Sequence, residues 1–139
     1  MSRQPVEFDR MLALARRALD NAHAPYSRFR VGACLLTDTG RLHAGCNVEN
    51  SAYPVGQCAE ATAIGAMIAA GDRRIVAAVI ANETGELCPP CGRCRQQLAE
   101  FAGPEAPIYL CGPDGLRVAT TLGELLPMAF GPDSLGRST

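Results

Sequence analysis

Three cysteines and one glutamate have the clearest chemical potential in this chain. Cys91 and Cys94 are separated by two residues, and Cys58 lies two residues before Glu60 in an earlier segment. Three thiolates can hold a zinc ion in a tetrahedral site, and three protein ligands leave the fourth position open to water. An open position distinguishes a catalytic zinc from a structural one. We expect Glu60 to act as a proton shuttle rather than as a fourth ligand, because residues two apart on a helix diverge.

Cys88 leaves two other interpretations open. The segment Cys88-Pro89-Pro90-Cys91 is itself a C-x-x-C pair, which can be a thiol redox centre, although that hypothesis gives Cys58 and Glu60 no role. A closed structural site made of four sulfurs, with Cys88 as the fourth, is the sharper competitor. The closed site predicts that Glu60 is dispensable.

Composition narrows the class of protein. The chain has 139 residues, a formal charge of −1 and 47% hydrophobic residues, so it can bury a core and lacks the basic excess of a nonspecific nucleic-acid binder. Seven cysteines without an N-terminal apolar run argue against a secreted disulfide framework, and no stretch approaches the ~20 apolar residues of a spanning helix. We therefore expect a soluble, cytoplasmic protein with reduced thiols and no membrane or nucleic-acid partner.

Hydrophobic periodicity predicts the elements that must position the cysteines. Helices are predicted over residues 6–22, 58–70, 91–101 and 121–126, and strands over 30–36, 41–46, 75–81, 108–111 and 116–119. This order predicts one α/β domain over residues 1–139, with about five strands between helical layers.

The candidate ligands fall at the starts of two predicted helices. Cys58 and Glu60 open a helix that is apolar nearly all round and therefore buried. Cys91 and Cys94 open the helix that follows the central strand. Helix starts beyond strand ends are where α/β sheets place their ligands, so the two segments are expected to meet.

Polar and aromatic residues near the first hairpin have two interpretations. Asn47 and Glu49 follow a strand and could simply be solvated loop residues. Phe29 could equally be an ordinary core residue. From the residues alone these alternatives stay open.

The motifs resemble those of a known family. A zinc-deaminase motif, Cys-x-Glu followed by Pro-Cys-x-x-Cys, stands here as Cys58-Ala59-Glu60 and Pro90-Cys91-Gly92-Arg93-Cys94. Residues 25–33, 45–50 and 124–127 are also similar to the small, homotetrameric cytidine deaminases of pyrimidine salvage. The resemblance implies a three-layer α/β/α sandwich with a mixed sheet.

The resemblance also implies a role for each matching residue. Cys58, Cys91 and Cys94 would bind zinc, and Glu60 would hold the pyrimidine while moving a proton from water to ring N3 and then to the leaving amine. The implied substrate contacts are stacking by Phe29, ribose hydrogen bonds from Asn47 and Glu49, backbone contact at Ala59, and contributions across subunits from Tyr53 and Phe130.

One position departs from the family pattern. Arg often follows the catalytic Glu in the tetrameric relatives and softens the charge of the thiolates, whereas this chain has Ala61. We hypothesise that Arg95 bonds a ligand sulfur in its place.

The resemblance implies hydrolysis of cytidine and 2′-deoxycytidine to the uridines with release of ammonia. Deamination of a nucleoside-like antibiotic such as blasticidin S is the nearest alternative, because those relatives share a run like residues 90–96, but residues 47–50 favour an ordinary ribose. Polynucleotide editing is disfavoured by the missing basic surface excess. A noncatalytic zinc-stapled binding module is the alternative from a different class.

Overall fold

A computed structural model describes residues 4–136 and contains one five-stranded sheet. Its strands are β1 (Val31–Thr37), β2 (Leu42–Cys46), β3 (Ile75–Asn82), β4 (Pro107–Gly112) and β5 (Gly115–Thr121). They lie in the order β2-β1-β3-β4-β5. The β3–β4 pair is parallel and the other pairs are antiparallel, so the sheet is mixed as expected.

Helices cover both faces of this sheet. They are α1 (Phe8–Asp20), α2 (Ala59–Ala69), α3 (Gly92–Phe101) and α4 (Leu122–Leu125), with short 3₁₀ helices at Tyr53–Val55 and Pro132–Leu135. The α1 helix packs on one face, whereas α2 and α3 pack on the other. The three-layer α/β/α prediction is therefore confirmed. The predicted helix and strand boundaries differ from these by one or two residues, and the two 3₁₀ helices were not expected.

The central strand β3 is buried on both sides, which explains its continuous apolar sequence. Ala78 and Ile80 face the core beneath α2 and α3, and Ala77 and Val79 face the core beneath α1. Strand side chains alternate between faces, so a strand covered on both sides needs apolar residues at every position.

Two glycines allow the helices to approach the sheet closely. A Cβ atom added at Gly45 on β2 would lie 2.8 Å from the Ala59 carbonyl oxygen and 2.9 Å from the Ala63 Cα of α2. A Cβ atom at Gly32 on β1 would lie 2.8 Å from the Ala15 carbonyl carbon of α1. The absence of a side chain at Gly45 therefore sets how closely α2 approaches the sheet.

A buried carboxylate fixes the turn between β1 and β2. Asp72, just after α2, accepts hydrogen bonds from Thr37 (2.9 Å), Thr39 (3.1 Å) and Arg41 (2.7 Å), and its Oδ2 lies 2.7 Å from His43 Nε2. His43 and then Arg41 hold the pKa of Asp72 well below its usual range. This network joins the hairpin to the loop between α2 and β3.

Three cysteines outside the candidate site lie in strands of the sheet. Cys34 and Cys111 are buried, and burial raises the pKa of their thiols to about 12 and about 11, respectively. Cys46 is only half-buried.

No helix within residues 4–136 is long and apolar enough to cross a membrane.

Candidate active site

The starts of α2 and α3 bring the three candidate ligands together. Cys58 occupies the N-cap position of α2, Cys91 occupies that of α3, and Cys94 lies in the first turn of α3. All three Sγ atoms lie within 4.8 Å of one another, and those of Cys91 and Cys94 are 3.5 Å apart. Neither the Cys58 nor the Cys91 side chain forms a capping hydrogen bond with its own helix.

The environment of these thiols favours ionisation at one of them. A hydrogen bond with Cys94 lowers the pKa of Cys58, and the same interaction raises the pKa of Cys94. A thiolate is the form that binds metal. Cys58 is therefore the thiol of this pair that loses its proton more readily, and metal binding must displace the protons that remain.

This donor set fits zinc. A tetrahedral ion with Zn–S bonds of about 2.3 Å holds its sulfurs roughly 3.8 Å apart, close to the spacing of these thiols. Among the described residues, Cys58, Cys91 and Cys94 are the one group of cysteine, histidine and acidic side chains close enough together to share a metal. Cys88 is half-buried and is not part of that group. The geometry therefore favours an open site over a four-sulfur site.

Glu60 lies in the first turn of α2 and is almost completely buried, at 4% exposure. Burial raises the pKa of its carboxyl group, because removal from water disfavours the charged form. A carboxyl group with a raised pKa beside a metal site can both accept and return a proton.

Two side chains after β2 hold the segment around Phe29. The Asn47 amide accepts a hydrogen bond from Val31 N (3.0 Å) and donates one to the Phe29 carbonyl oxygen (2.8 Å). The Glu49 carboxylate accepts from Tyr26 N (2.9 Å) and Ser27 N (3.1 Å). Asn47 and Glu49 are thus not free loop residues, and both hold backbone of the 26–31 segment.

A short backbone pairing connects this segment to the cysteines. Val48 N donates to the Gln57 carbonyl oxygen (2.9 Å), and Gln57 N donates to the Val48 carbonyl oxygen (2.8 Å). Gln57 directly precedes Cys58, and Val48 lies between Asn47 and Glu49. The polar segment and the first thiol are therefore held side by side.

Arg95 and Gln96 on α3 hold the C-terminal part of the chain. Arg95 donates to the carbonyl oxygens of Pro90 (2.8 Å) and Leu125 (2.7 Å), and Gln96 donates to that of Phe130 (2.8 Å). These two side-chain hydrogen bonds of Arg95 go to backbone carbonyls, and the Arg95 backbone N–H bonds the Cys91 carbonyl oxygen (3.0 Å). A bond from Arg95 to a ligand sulfur stays a prediction.

The two residues expected to act across subunits lie at the surface. Tyr53 is 75% exposed and touches Tyr26 edge-on, with ring centroids 5.9 Å apart. Phe130 is 59% exposed. Ala59, expected to contact the base, is buried at the start of α2.

Ser27 was missed when the sequence was considered alone. Its hydroxyl donates a hydrogen bond to Glu49 Oε2 and accepts one from Phe29 N (3.0 Å). No local pattern pairs Ser27 with Glu49, because the two residues are 22 positions apart. One indication of its importance is present in the sequence. Ser27 lies within residues 25–33, which are similar to the family, two positions before Phe29.

A cluster of three thiols that fits zinc, with a buried carboxylate in the first turn of the same helix as Cys58, is the kind of arrangement that zinc-dependent hydrolytic enzymes use. Comparison with known proteins identifies the family. Residues 6–110 match the family model of the cytidine and deoxycytidylate deaminase zinc-binding region. The chain belongs to this family, and its metal is zinc.

Full-length relatives agree with this assignment. The chain is 39% identical over 130 residues to a cytidine deaminase of Sporosarcina psychrophila, covering 94% of this chain and 96% of the relative. It is 42% identical over 132 residues to a cytidine deaminase of Mycobacterium tuberculosis, covering 95% and 96%. The crystal structure of cytidine deaminase from Burkholderia pseudomallei has a TM-score of 0.81 at 40% identity and covers 88% of this chain and 98% of that one. The expected family and fold are confirmed.

Proposed function

We propose that this enzyme hydrolyses cytidine and 2′-deoxycytidine to uridine and 2′-deoxyuridine with release of ammonia. The observation that carries the proposal is the convergence of Cys58, Cys91 and Cys94 within 4.8 Å, with buried Glu60 in the first turn of the helix that Cys58 begins. Membership of the deaminase family supports the same reaction. The substrate is a small nucleoside.

Cys58, Cys91 and Cys94 would hold the zinc ion. When bound, zinc acts as a Lewis acid and lowers the pKa of a bound water molecule to about 7. The chain then has to bind the pyrimidine, move protons and exclude competing solvent.

Glu60 is proposed as the proton carrier. Its raised pKa suits a group that takes a proton from the attacking water and delivers it to ring N3. The water oxygen would bond to C4, and Glu60 would then carry the remaining proton of that oxygen to the exocyclic nitrogen. The bond from C4 to that nitrogen would break, which releases ammonia and leaves the C4 carbonyl of the product. The carboxylate is thereby ready for another turnover.

The nucleoside contacts are proposed around the segment that Asn47 and Glu49 hold. Phe29 would stack on the base, and the backbone of buried Ala59 would meet its edge. Asn47 and Glu49 would bind the ribose hydroxyls through their side-chain amide and carboxylate groups, in addition to the hydrogen bonds described above. Their existing bonds to residues 26–31 fix the orientation of both side chains before substrate arrives.

We propose a homotetramer whose sites are completed by neighbouring subunits, with Tyr53 and Phe130 as the contributed residues. Both rings are largely exposed, and an apolar groove of about 930 Å³ lies beside Phe130. A stable assembly would cover this apolar surface. Light scattering during gel filtration should give a mass of four chains.

Two other expectations also stay predictions. They are that residues 1–139 form a single domain and that the protein is located in the cytoplasm.

The reaction is tested by following the ultraviolet absorbance of cytidine, 2′-deoxycytidine and blasticidin S with purified protein. We expect both cytidines to be converted and blasticidin S to be left intact. Glu60→Gln should lower kcat by at least about 10²-fold while one zinc per chain is retained, because proton transfer is lost and the ligands are not. Glu86→Gln, an exposed carboxylate in the turn after β3, is the matched control. Full activity of Glu60→Gln would exclude the proposal.

A further inference from the structure

The turn before β1 has an unusual backbone conformation. Arg28 has φ 58°, in the left-handed region that residues with a side chain seldom adopt. Its N–H bonds the Ala24 carbonyl oxygen (3.0 Å). The reversal at Arg28 brings Phe29 N within 3.0 Å of the Ser27 hydroxyl. Surrounding contacts must hold such a conformation.

Ser27 joins the two halves of the proposed nucleoside site. Its hydroxyl donates to Glu49 Oε2 and accepts from Phe29 N, so a single oxygen connects the carboxylate proposed for the ribose to the residue proposed for the base. The Ser27 hydroxyl is also the largest cause of the lowered pKa of Glu49, because its hydrogen bond favours the charged carboxylate.

The two oxygens of Glu49 have different partners. Oε1 accepts from Tyr26 N and Ser27 N, whereas Oε2 accepts from the Ser27 hydroxyl. Removing the hydroxyl would leave the carboxylate held through Oε1 alone, so Oε2 would lose its partner and the carboxylate would be less firmly oriented. Asn47 would still hold the Phe29 carbonyl oxygen, so the aromatic residue would move less than the carboxylate.

We propose that Ser27 is a positioning residue that fixes the Glu49 carboxylate relative to Phe29, and so determines how strongly the enzyme distinguishes nucleosides by their ribose hydroxyls. This inference rests on the proposed function of Glu49 and Phe29. Ser27 does not act on the reacting atoms. Its effect is on sugar binding.

The test compares Ser27→Ala with wild type on cytidine and on 2′,3′-dideoxycytidine, which lacks both ribose hydroxyls of the sugar ring. We expect KM for cytidine to rise about tenfold, as for one lost hydrogen bond to a charged group, with kcat within about twofold. The KM for dideoxycytidine should change by less than about twofold. The preference for cytidine, measured as the ratio of kcat/KM values, should therefore fall about tenfold.

Two further variants separate positioning from general structure. Ser27→Thr keeps the hydroxyl on an exposed residue and should restore most of the cytidine preference. Thr39→Ala removes a hydroxyl bonded to the Asp72 carboxylate at the opposite end of β1, and should leave the preference unchanged.

The outcomes are distinct. An unchanged cytidine KM in Ser27→Ala, or equal losses on cytidine and dideoxycytidine, would overturn the inference while leaving the proposed function intact. A loss in Ser27→Thr as large as that in Ser27→Ala would also overturn it. Absence of cytidine turnover by the wild-type enzyme would instead overturn the proposed function.

Discussion

Substitution of Gly45 by alanine should damage both the fold and the metal site. The added Cβ would lie 2.8 Å from the Ala59 carbonyl oxygen and 2.9 Å from the Ala63 Cα, whereas ordinary van der Waals contact begins near 3.4 Å. The Ala63 nitrogen lies closer still, and all three obstructing atoms belong to the α2 backbone and cannot rotate away as a side chain could. The helix must therefore move away from β2 by roughly half an ångström or more.

The magnitude follows from overpacking and from the position of α2. Inserting a methyl group into a well-packed contact costs about 1–3 kcal/mol, or about 4–12 °C of melting temperature for a domain of this size. Because α2 begins beside Cys58 and carries Glu60, its movement also separates Cys58 from Cys91 on α3. Metal–ligand distances tolerate only about 0.2 Å, so we expect zinc affinity to fall at least about tenfold.

Two other glycines provide matched controls. Gly32→Ala should destabilise the fold through α1, because its Cβ would lie 2.8 Å from the Ala15 carbonyl carbon, but α1 carries no ligand and zinc affinity should stay within about twofold. Gly65→Ala, on the exposed side of α2 with nothing within 4 Å of its Cβ, should stabilise the helix by about 0.5–1 kcal/mol.

The measurements are thermal unfolding by circular dichroism and zinc affinity by competition with a chromogenic chelator. The reasoning is refuted if Gly45→Ala binds zinc as tightly as wild type. It is also refuted if Gly32→Ala weakens zinc binding as much as Gly45→Ala does.

Two further predictions concern the acid end of the pH range and the cysteines. The pKa of Asp72 is lower in the folded chain than its unfolded value of about 3.9, so its network stabilises the fold above that pH and loses its contribution as pH falls through the folded pKa. Asp72→Asn should therefore melt at lower temperature than wild type near pH 6, with a gap that narrows towards pH 3; a constant gap would contradict this. Cys88→Ser should retain one zinc per chain by elemental analysis and near-normal activity, whereas Cys94→Ser should lose both, and zinc loss in Cys88→Ser would favour a four-sulfur site.

The sheet and its helices could be predicted because each carries a pattern that local physics dictates. The apolar run of β3 requires cover on both faces, and its residues do alternate between two cores. The helix beginning beside Cys58 was expected to be buried all round, and this was only half correct. Ala63 and Met67 are completely inaccessible, whereas Gly65 and Ala66 on the other side of α2 are exposed. The helix predicted over 121–126 was also correct to within one residue at each end, since α4 spans Leu122–Leu125.

The candidate metal ligands could also be predicted from the sequence, because a C-x-x-C pair on one helix turn must present both thiols on the same side. The exclusion of Cys88 from the thiol group needed the structure, since Cys88 is as close in sequence to Cys91 as Cys94 is. The resemblance supplied the roles of the loop residues, which their types alone did not.

Interactions between distant polar residues could not be predicted. Asp72 meets Thr37, Arg41 and His43 across about 30 positions of chain, and Ser27 meets Glu49 across 22. Which acid pairs with which donor depends on strand pairing and on helix placement, and no sequence period records that choice. These contacts appear only once the tertiary structure has formed.

The placement of thiols at two separate helix starts means that the ion also acts as a cross-link. A metal bound by Cys58, Cys91 and Cys94 closes a loop containing the whole of α2 and β3, and closing a loop removes conformational freedom from the unfolded chain. Chelation would therefore release that loop as well as end catalysis. Zinc binding and folding are therefore coupled, so a chain that has lost its zinc also unfolds more readily.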